Sequence, residues 1–157
     1  MTIKLVRVDH RLIHGQVGFT WTKFLKANCI LIASDKIVED PLKMTAMKMA
    51  TPSGVKLVMK SINESAKALN SGVTDKYELL ILCESVEDVY NLTQKVSTLK
   101  EINLGGMKDG EDRKQISKAV HLSEEDITLI KKMEEEGITL SVQMVPDDQV
   151  VNINKLI

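Results

Sequence analysis

Asp9, His10, Arg11 and His14 stand close together near the start of the chain, and Gly15 and Gln16 follow directly. An imidazole serves as a base, a metal ligand or a nucleophile. Gly15 has no side chain to block a group arriving at the His14 ring. Arg11, three residues before His14, carries a guanidinium fork that matches phosphate or carboxylate. A nucleophilic ring beside a fixed cation suits a phosphoryl group carried on His14. Two other readings stand beside it: a capping or surface histidine in a polar turn, and a metal pair. His10 and His14 have the zinc-protease spacing, but that motif needs one continuous helix and a Glu beside the first histidine. Arg11 occupies that place, and no cysteine or third histidine is near in sequence. The residue types therefore favour an anion over a metal, and leave a polar turn open.

These residues must be positioned by what flanks them. Ile3 to Val8 is apolar and reads as a strand, and Gly15 to Lys26 reads as a helix carrying Val17, Trp21, Phe24 and Leu25. A loop from a strand's carboxyl end to a helix's amino end is where open α/β sheets build their sites. The unpaired amides and positive dipole end of a helix start favour an anion.

The rest of the chain repeats this alternation. Strands are expected at Cys29 to Ala33, Val55 to Met59, Tyr77 to Cys83, Glu101 to Leu104, Ala119 to Leu122 and Ile138 to Val142. The continuous apolar runs fit strands covered on both faces. Helices are expected from Pro41 to Ala50, from a Ser61 or Asn63 cap to the Gly72 stop, from Val86 to Val96, and from Ser123, which with Asp126 resembles a capping box, to Gly137. The Met-rich helix after Pro41 reads as core filler. Gly105-Gly106 reads as a loop, Met107 to Gln115 as exposed, and Val150 to Ile157 as a tail that adds an edge strand. The fold class is α/β: one domain over 1–157, with a mostly parallel twisted sheet and helices on both faces. The strand exits then gather Asp9 to Gly15, Ser34-Asp35, Lys60-Ser61, Glu84-Ser85, Gly105-Gly106-Met107 and Pro146-Asp147 on one edge.

The run Arg7-Val8-Asp9-His10-Arg11-Leu12-Ile13-His14-Gly15-Gln16-Val17 resembles the phosphorylation-site signature of the IIB components of the mannose/sorbose-type sugar phosphotransferase system. Asn103-Leu104-Gly105-Gly106-Met107 and Gln143-Met144-Val145-Pro146-Asp147-Asp148 resemble the same family, so the likeness covers nearly the whole chain. It implies a phosphoryl carrier that accepts phosphate from a phospho-IIA partner and passes it to a sugar at a membrane IIC/IID permease. It implies His14 as the phosphorylated residue, through Nδ1, with Arg11 on the phosphate. Gly15 and Gln16 belong to the phosphate site, and Asp9, His10, Gly105 and Gly106 are further candidates. Asp9 either holds Arg11, orients His14 or only forms the turn. Asp35 and Trp21 read as structural, and His121 has no assigned role. The family implies no cofactor, metal or nucleotide, and a place on the inner face of the membrane through IIC/IID.

Composition agrees with that class. The 157 residues are 43% hydrophobic and 27% charged, with a formal net charge of −1, so nothing draws the chain to nucleic acid or an anionic bilayer. Aromatics are 3%, which argues against base-stacking surfaces. No apolar run approaches a membrane span, and the amino terminus lacks a signal-peptide pattern, which points to the cytoplasm. Cys29 and Cys83 lie in apolar runs and read as buried reduced thiols. Two rivals remain: a non-catalytic anion-binding or regulatory domain of the same fold, and a histidine phosphatase. The phosphatase wants an Arg-His-Gly run and a second catalytic histidine, whereas two residues separate Arg11 from His14 and the other arginines are Arg7 and Arg113.

Overall fold

A computed structural model describes residues 3–157. Its strands are β1 (Ile3–Asp9), β2 (Cys29–Ala33), β3 (Lys56–Lys60), β4 (Leu79–Cys83), β5 (Glu101–Gly106), β6 (Lys114–Gln115), β7 (His121–Leu122), β8 (Thr139–Val142) and β9 (Val151–Asn152). Its α-helices are α1 (Gly15–Leu25), α2 (Pro41–Ala50), α3 (Ile62–Ser71), α4 (Val86–Lys95) and α5 (Glu124–Glu135). The main sheet has seven strands in the order β3-β2-β4-β1-β5-β8-β9. Every pairing in it is parallel except β8 with β9. The tail thus adds the expected edge strand, antiparallel. The other late strand does not join this sheet: His121–Leu122 pairs with Lys114–Gln115 in a separate antiparallel hairpin.

Strand periodicity divides the core into two layers. Val6 and Val8 point to one face with Leu31, Ile81, Cys83, Ile102 and Leu104, under α3, α4 and α5. Ile30, Ile32, Leu80 and Leu82 point to the other, where they meet Leu12, Ile13, Ile37 and Met47. Cys29 and Cys83 are free and buried, and burial pushes the Cys83 thiol well up, away from reactivity. The α2 helix is less of a core element than its methionines imply: Met47 is buried, but Leu42 and Met49 are largely exposed. It lies over the edge of the sheet, so only one of its faces is covered.

Local signals start and stop the helices as expected. Ser61, Ser85 and Ser123 each accept a bond from a first-turn amide, and Ser123 and Asp126 form a full capping box. Gly72 ends α3 with φ +85°.

The β1–β5 pairing carries the feature that shapes the site. Val8 pairs with Leu104, but Asp9 pairs with Gly106, so the register shifts and Gly105 has no partner. Gly105 and Gly106 therefore end a strand rather than form a free loop. A Cβ on Gly105 would stand 2.0 Å from Arg7 Cζ, and one on Gly106 would stand 3.2 Å from Asp9 Oδ1. The missing side chains are the space that Arg7 and Asp9 fill. Met107, read from sequence as exposed, is 3% exposed. Its N–H donates to the Ala119 carbonyl, which draws the following hairpin against the sheet. Gly105→Ala should cost about 1–3 kcal/mol or more, the usual range for overpacking a filled interior. Urea unfolding monitored by Trp21 fluorescence measures it.

Candidate functional site

The site is built where β1 runs into α1. Leu12 and Ile13 are buried and plug this loop into the second core layer. Leu12 does so at φ +58°, a left-handed conformation that costs a branched residue of order 1–2 kcal/mol. Gly15 follows at φ +43°. Between these fixed points Arg11 and His14 turn outward, with side chains 47% and 21% exposed. His14 is the residue before α1 and makes no side-chain cap bond. The first helical bond is Gly18 N–H to His14 C=O. The N–H groups of Gly15, Gln16 and Val17 then have no carbonyl of their own helix to reach.

Asp9, 1% exposed, stands at the centre. Its Oδ1 accepts the Arg11 N–H at 3.0 Å, and Arg11 Nε lies 3.6 Å from the same oxygen. Its Oδ2 lies 3.3 Å from His14 Nε2. Asp9 therefore both holds Arg11 and orients His14. An ionised carboxylate only accepts, so this contact places the proton on Nε2 and leaves the Nδ1 lone pair available. His10 Nδ1 lies 4.0 Å from Asp9 Oδ1 and, though buried, has no hydrogen-bond partner among the described residues. His10 N–H donates to Gly106 C=O, which ties the loop to β5.

Behind Asp9 lies a residue that sequence reasoning passed over. Arg7 is 2% exposed. It donates to Asn103 Oδ1 at 2.6 Å, to the carbonyls of Gln143 and Met144 at 2.9 and 2.8 Å, and to Asp9 Oδ2 at 3.4 Å. Its Cζ sits 4.8 Å from the Trp21 ring centre, and Trp21 Nε1 donates to Met144 C=O. Burial lowers the Arg7 pKa to about 10, partly offset by Asp9, so the guanidinium stays charged at neutral pH. A signal for it existed. In a strand Arg7 and Asp9 face the same side, and two opposite charges there are an internal pair. Trp21 is a core residue, as expected, while Phe24 of the same helix is 62% exposed. Phe24, Phe19, Gln16, Pro146 and Asp147 line a shallow groove.

A polar cleft of about 480 Å³ opens beside His10 at the same sheet edge, walled by Asp35, Lys36, Lys43, Glu84, Asp88, Lys108 and Arg113 among others. Asp35 accepts the Ile62 N–H, a structural role. Burial pushes Glu84 up, but bonds from Ser34 and Lys43 outweigh it and hold the carboxyl below its usual range. His121 Nδ1 lies 3.0 Å from Met107 C=O, which fixes the hairpin. Among the described residues no cluster of histidine, cysteine and carboxylate side chains has metal-binding geometry.

Comparison with known proteins places this architecture. The family model described as "PTS system sorbose subfamily IIB component" matches residues 3–157. The chain belongs to this family of sugar phosphotransferase IIB components. It is 33% identical over 148 residues to the fructose-specific EIIB component of Bacillus subtilis, covering 94% of this chain and 91% of that one. The IIB domain of the sorbose permease of Klebsiella pneumoniae superposes with a TM-score of 0.93 at 30% identity, covering 99% of this chain and 95% of that one. The mannose-specific EIIAB component of Escherichia coli is 31% identical over 157 residues, which are 100% of this chain and 49% of that protein. IIB components of this family are phosphotransferase subunits that work with IIA and with membrane IIC/IID proteins. No helix among the described residues is long and apolar enough to cross a membrane.

The cleft yields a test of its own. Burial, then the nearby charges of Glu84, Asp35 and Glu87, push the Asp88 carboxyl up from 3.8 to about 6. The folded state then holds this proton more tightly than the unfolded chain does. Stability attributable to Asp88 falls as pH rises from about 4 to about 6, and the loss is complete above that window. Asp88→Asn should match the native chain below pH 4 and exceed it by about 1 kcal/mol at pH 7.5, after allowance for solvent screening. Urea melts at the two pH values compare them.

Proposed function

We propose that this IIB component carries the phosphoryl group on His14 Nδ1. In this reading phospho-IIA is the donor, and a sugar hydroxyl at the membrane IIC/IID complex is the acceptor. The observation that carries the reading is the contact of His14 Nε2 with buried Asp9, 3.3 Å, at the start of α1. It fixes the ring so that the opposite nitrogen is the nucleophile.

The transfer balances simply. The Nδ1 lone pair attacks the phosphorus of the donor phosphohistidine. The donor P–N bond breaks, and its electron pair returns to the IIA imidazole. Phospho-His14 keeps the Nε2 proton, so its ring is cationic and a good leaving group. When the sugar oxygen attacks, the His14 P–N bond breaks, its pair returns to Nδ1, and the hydroxyl proton leaves to a base. Little covalent chemistry is asked of the protein, so positioning and charge stabilisation dominate. Arg11, exposed and anchored to Asp9, would hold the phosphoryl oxygens as a fork. The amides of Gly15 and Gln16 and the α1 dipole add favourable charge, of order 0.3–1 kcal/mol. Gly105 and Gly106 would act at one remove, through the space they leave for Arg7 and Asp9. The groove beside Gln16, with Phe19 and Phe24, adjoins the α1 start and offers apolar contact to IIA. Work at IIC/IID would place the protein on the cytoplasmic face of the membrane.

Incubation with labelled phospho-IIA tests the reading. His14→Ala should reduce uptake to background with an unchanged circular dichroism spectrum, because the ring makes no cap bond. His10→Ala should still take label. Arg11→Lys should keep the charge but lose bidentate geometry, slowing uptake about tenfold. The linkage should be acid-labile and base-stable, with a phosphorus NMR shift of an Nδ1 phosphoramidate. A base-labile, acid-stable product would mean an acyl phosphate and would overturn the mechanism. Release of free phosphate without labelled protein would mean a phosphatase.

A further inference from the structure

We infer that Arg7 is a positioning residue for phosphoryl transfer, acting through Asp9 to set where the proton sits on His14. The inference rests on His14 being the carrier.

The geometry is a shared oxygen. Asp9 Oδ2 meets Arg7 Nη2 at 3.4 Å and His14 Nε2 at 3.3 Å. A positive charge on the far side of this oxygen disfavours the cationic ring relative to the neutral one, and a neutral ring protonated at Nε2 keeps the Nδ1 lone pair. The Arg7 guanidinium supplies the balancing charge from inside the sheet. With that charge present, Asp9 orients the ring through the Nε2 proton without forcing the imidazolium.

Arg7 is built to stay in place. Three of its bonds go to groups outside the pair, namely Asn103 Oδ1 and the Gln143 and Met144 carbonyls. Trp21 covers its face, and Gly105 leaves the only room a guanidinium needs. The charge is thus held at a fixed distance from Asp9 and away from the phosphoryl group. Arg11 also reaches Asp9, with its Nε 3.6 Å from Oδ1, but its side chain is 47% exposed and faces the open side of the site. The buried arginine braces the orienting carboxylate from inside the sheet, and the exposed one faces the substrate.

Among the described residues the other charges near the ring from β1 and its loop are Asp9, His10 and Arg11; Arg11 meets the other carboxylate oxygen, Oδ1, from the exposed side, where solvent screens it. From the segment after β8, Asp148 accepts the Val145 N–H, and Asp147 lines the groove with Gln16 and Phe19. From α1, Lys23 lies two turns beyond the site in the same groove.

The experiment measures labelled phosphoryl uptake from phospho-IIA against pH and against concentration of the full chain. Arg7→Gln removes the charge and keeps hydrogen-bonding capacity. Its acid limb should move to higher pH by about one pH unit, the scale of one neighbouring charge. The maximal rate at neutral pH should fall about tenfold, with KM for this chain little changed. Arg7→Lys keeps the charge but not the fork. Its limb should stay at the native pH while the maximal rate falls. In the Asp9→Asn background, Arg7→Gln should no longer move the limb. A residue that only supports the fold would lower every rate by loss of folded protein and leave the limb in place. A folded Arg7→Gln chain with a native limb overturns the inference. If Arg7→Gln does not fold, Arg7→Lys decides, and a native maximal rate there overturns it. His14→Ala runs in parallel. Label in that variant would overturn the carrier assignment itself, whereas label confined to His14 with indifferent Arg7 variants would overturn only the role of Arg7.

Discussion

A carboxylate buried to 1% exposure, shared between a buried guanidinium and a partly buried histidine, is the constraint on which the site depends. Asp9 and Arg7 both leave water, and a buried ion pair is weak evidence for stability because desolvation offsets most of the attraction. The fold supplies what makes the pair tolerable. Asn103 and two backbone carbonyls satisfy the guanidinium, and the Arg11 amide satisfies one carboxylate oxygen. What the pair contributes is direction: a fixed carboxylate beneath a surface histidine, aimed at one ring nitrogen.

Much of the neighbouring architecture follows from housing that pair. Gly105 is unpaired in the β1–β5 register and lacks a side chain where Arg7 passes. Gly106 leaves room for Asp9, and its carbonyl holds His10. Trp21 closes over Arg7 from α1, and the turn after β8 offers its carbonyls from the other side. The loop that carries His14 is held just as firmly. Leu12 and Ile13 are buried, and Leu12 accepts a left-handed backbone to get there. Strain of this kind persists only where surrounding packing over-determines it. Here it turns neighbouring residues in opposite directions, two into the core and two toward the surface.

On the proposed reading, such rigidity suits a carrier that serves two partners from one atom, because a ring fixed by a buried acceptor would present Nδ1 in the same orientation to donor and acceptor alike. The amino end of α1 remains open, with its first amides and no acidic residue in the first turn. The polar cleft on the His10 side and the aromatic groove on the Gln16 side flank that point separately.

The amino-acid sequence by itself determined the class of fold and the place of the candidate cluster at the end of β1. Alternating apolar runs and capped helices carry local, periodic signals, so the parallel sheet, the Ser61 and Ser123 helix starts, and the convergence of strand ends were legible. So was the pairing of Asp9 with both Arg11 and His14, as alternatives that the structure joins. Tertiary structure alone decided what lies behind them. Arg7 became the support of Asp9 because a register shift puts Gly105 beside it, and Asn103, Gln143 and Met144 arrive from segments distant in sequence. Met107 is buried because a hairpin that forms no part of the main sheet folds over it. Phe24 of α1 and Leu42 and Met49 of α2 are exposed because they lie on helix faces that the sheet does not cover. Helical and strand periods say which residues share a face, but only the packing of distant segments says whether that face is covered, and by what.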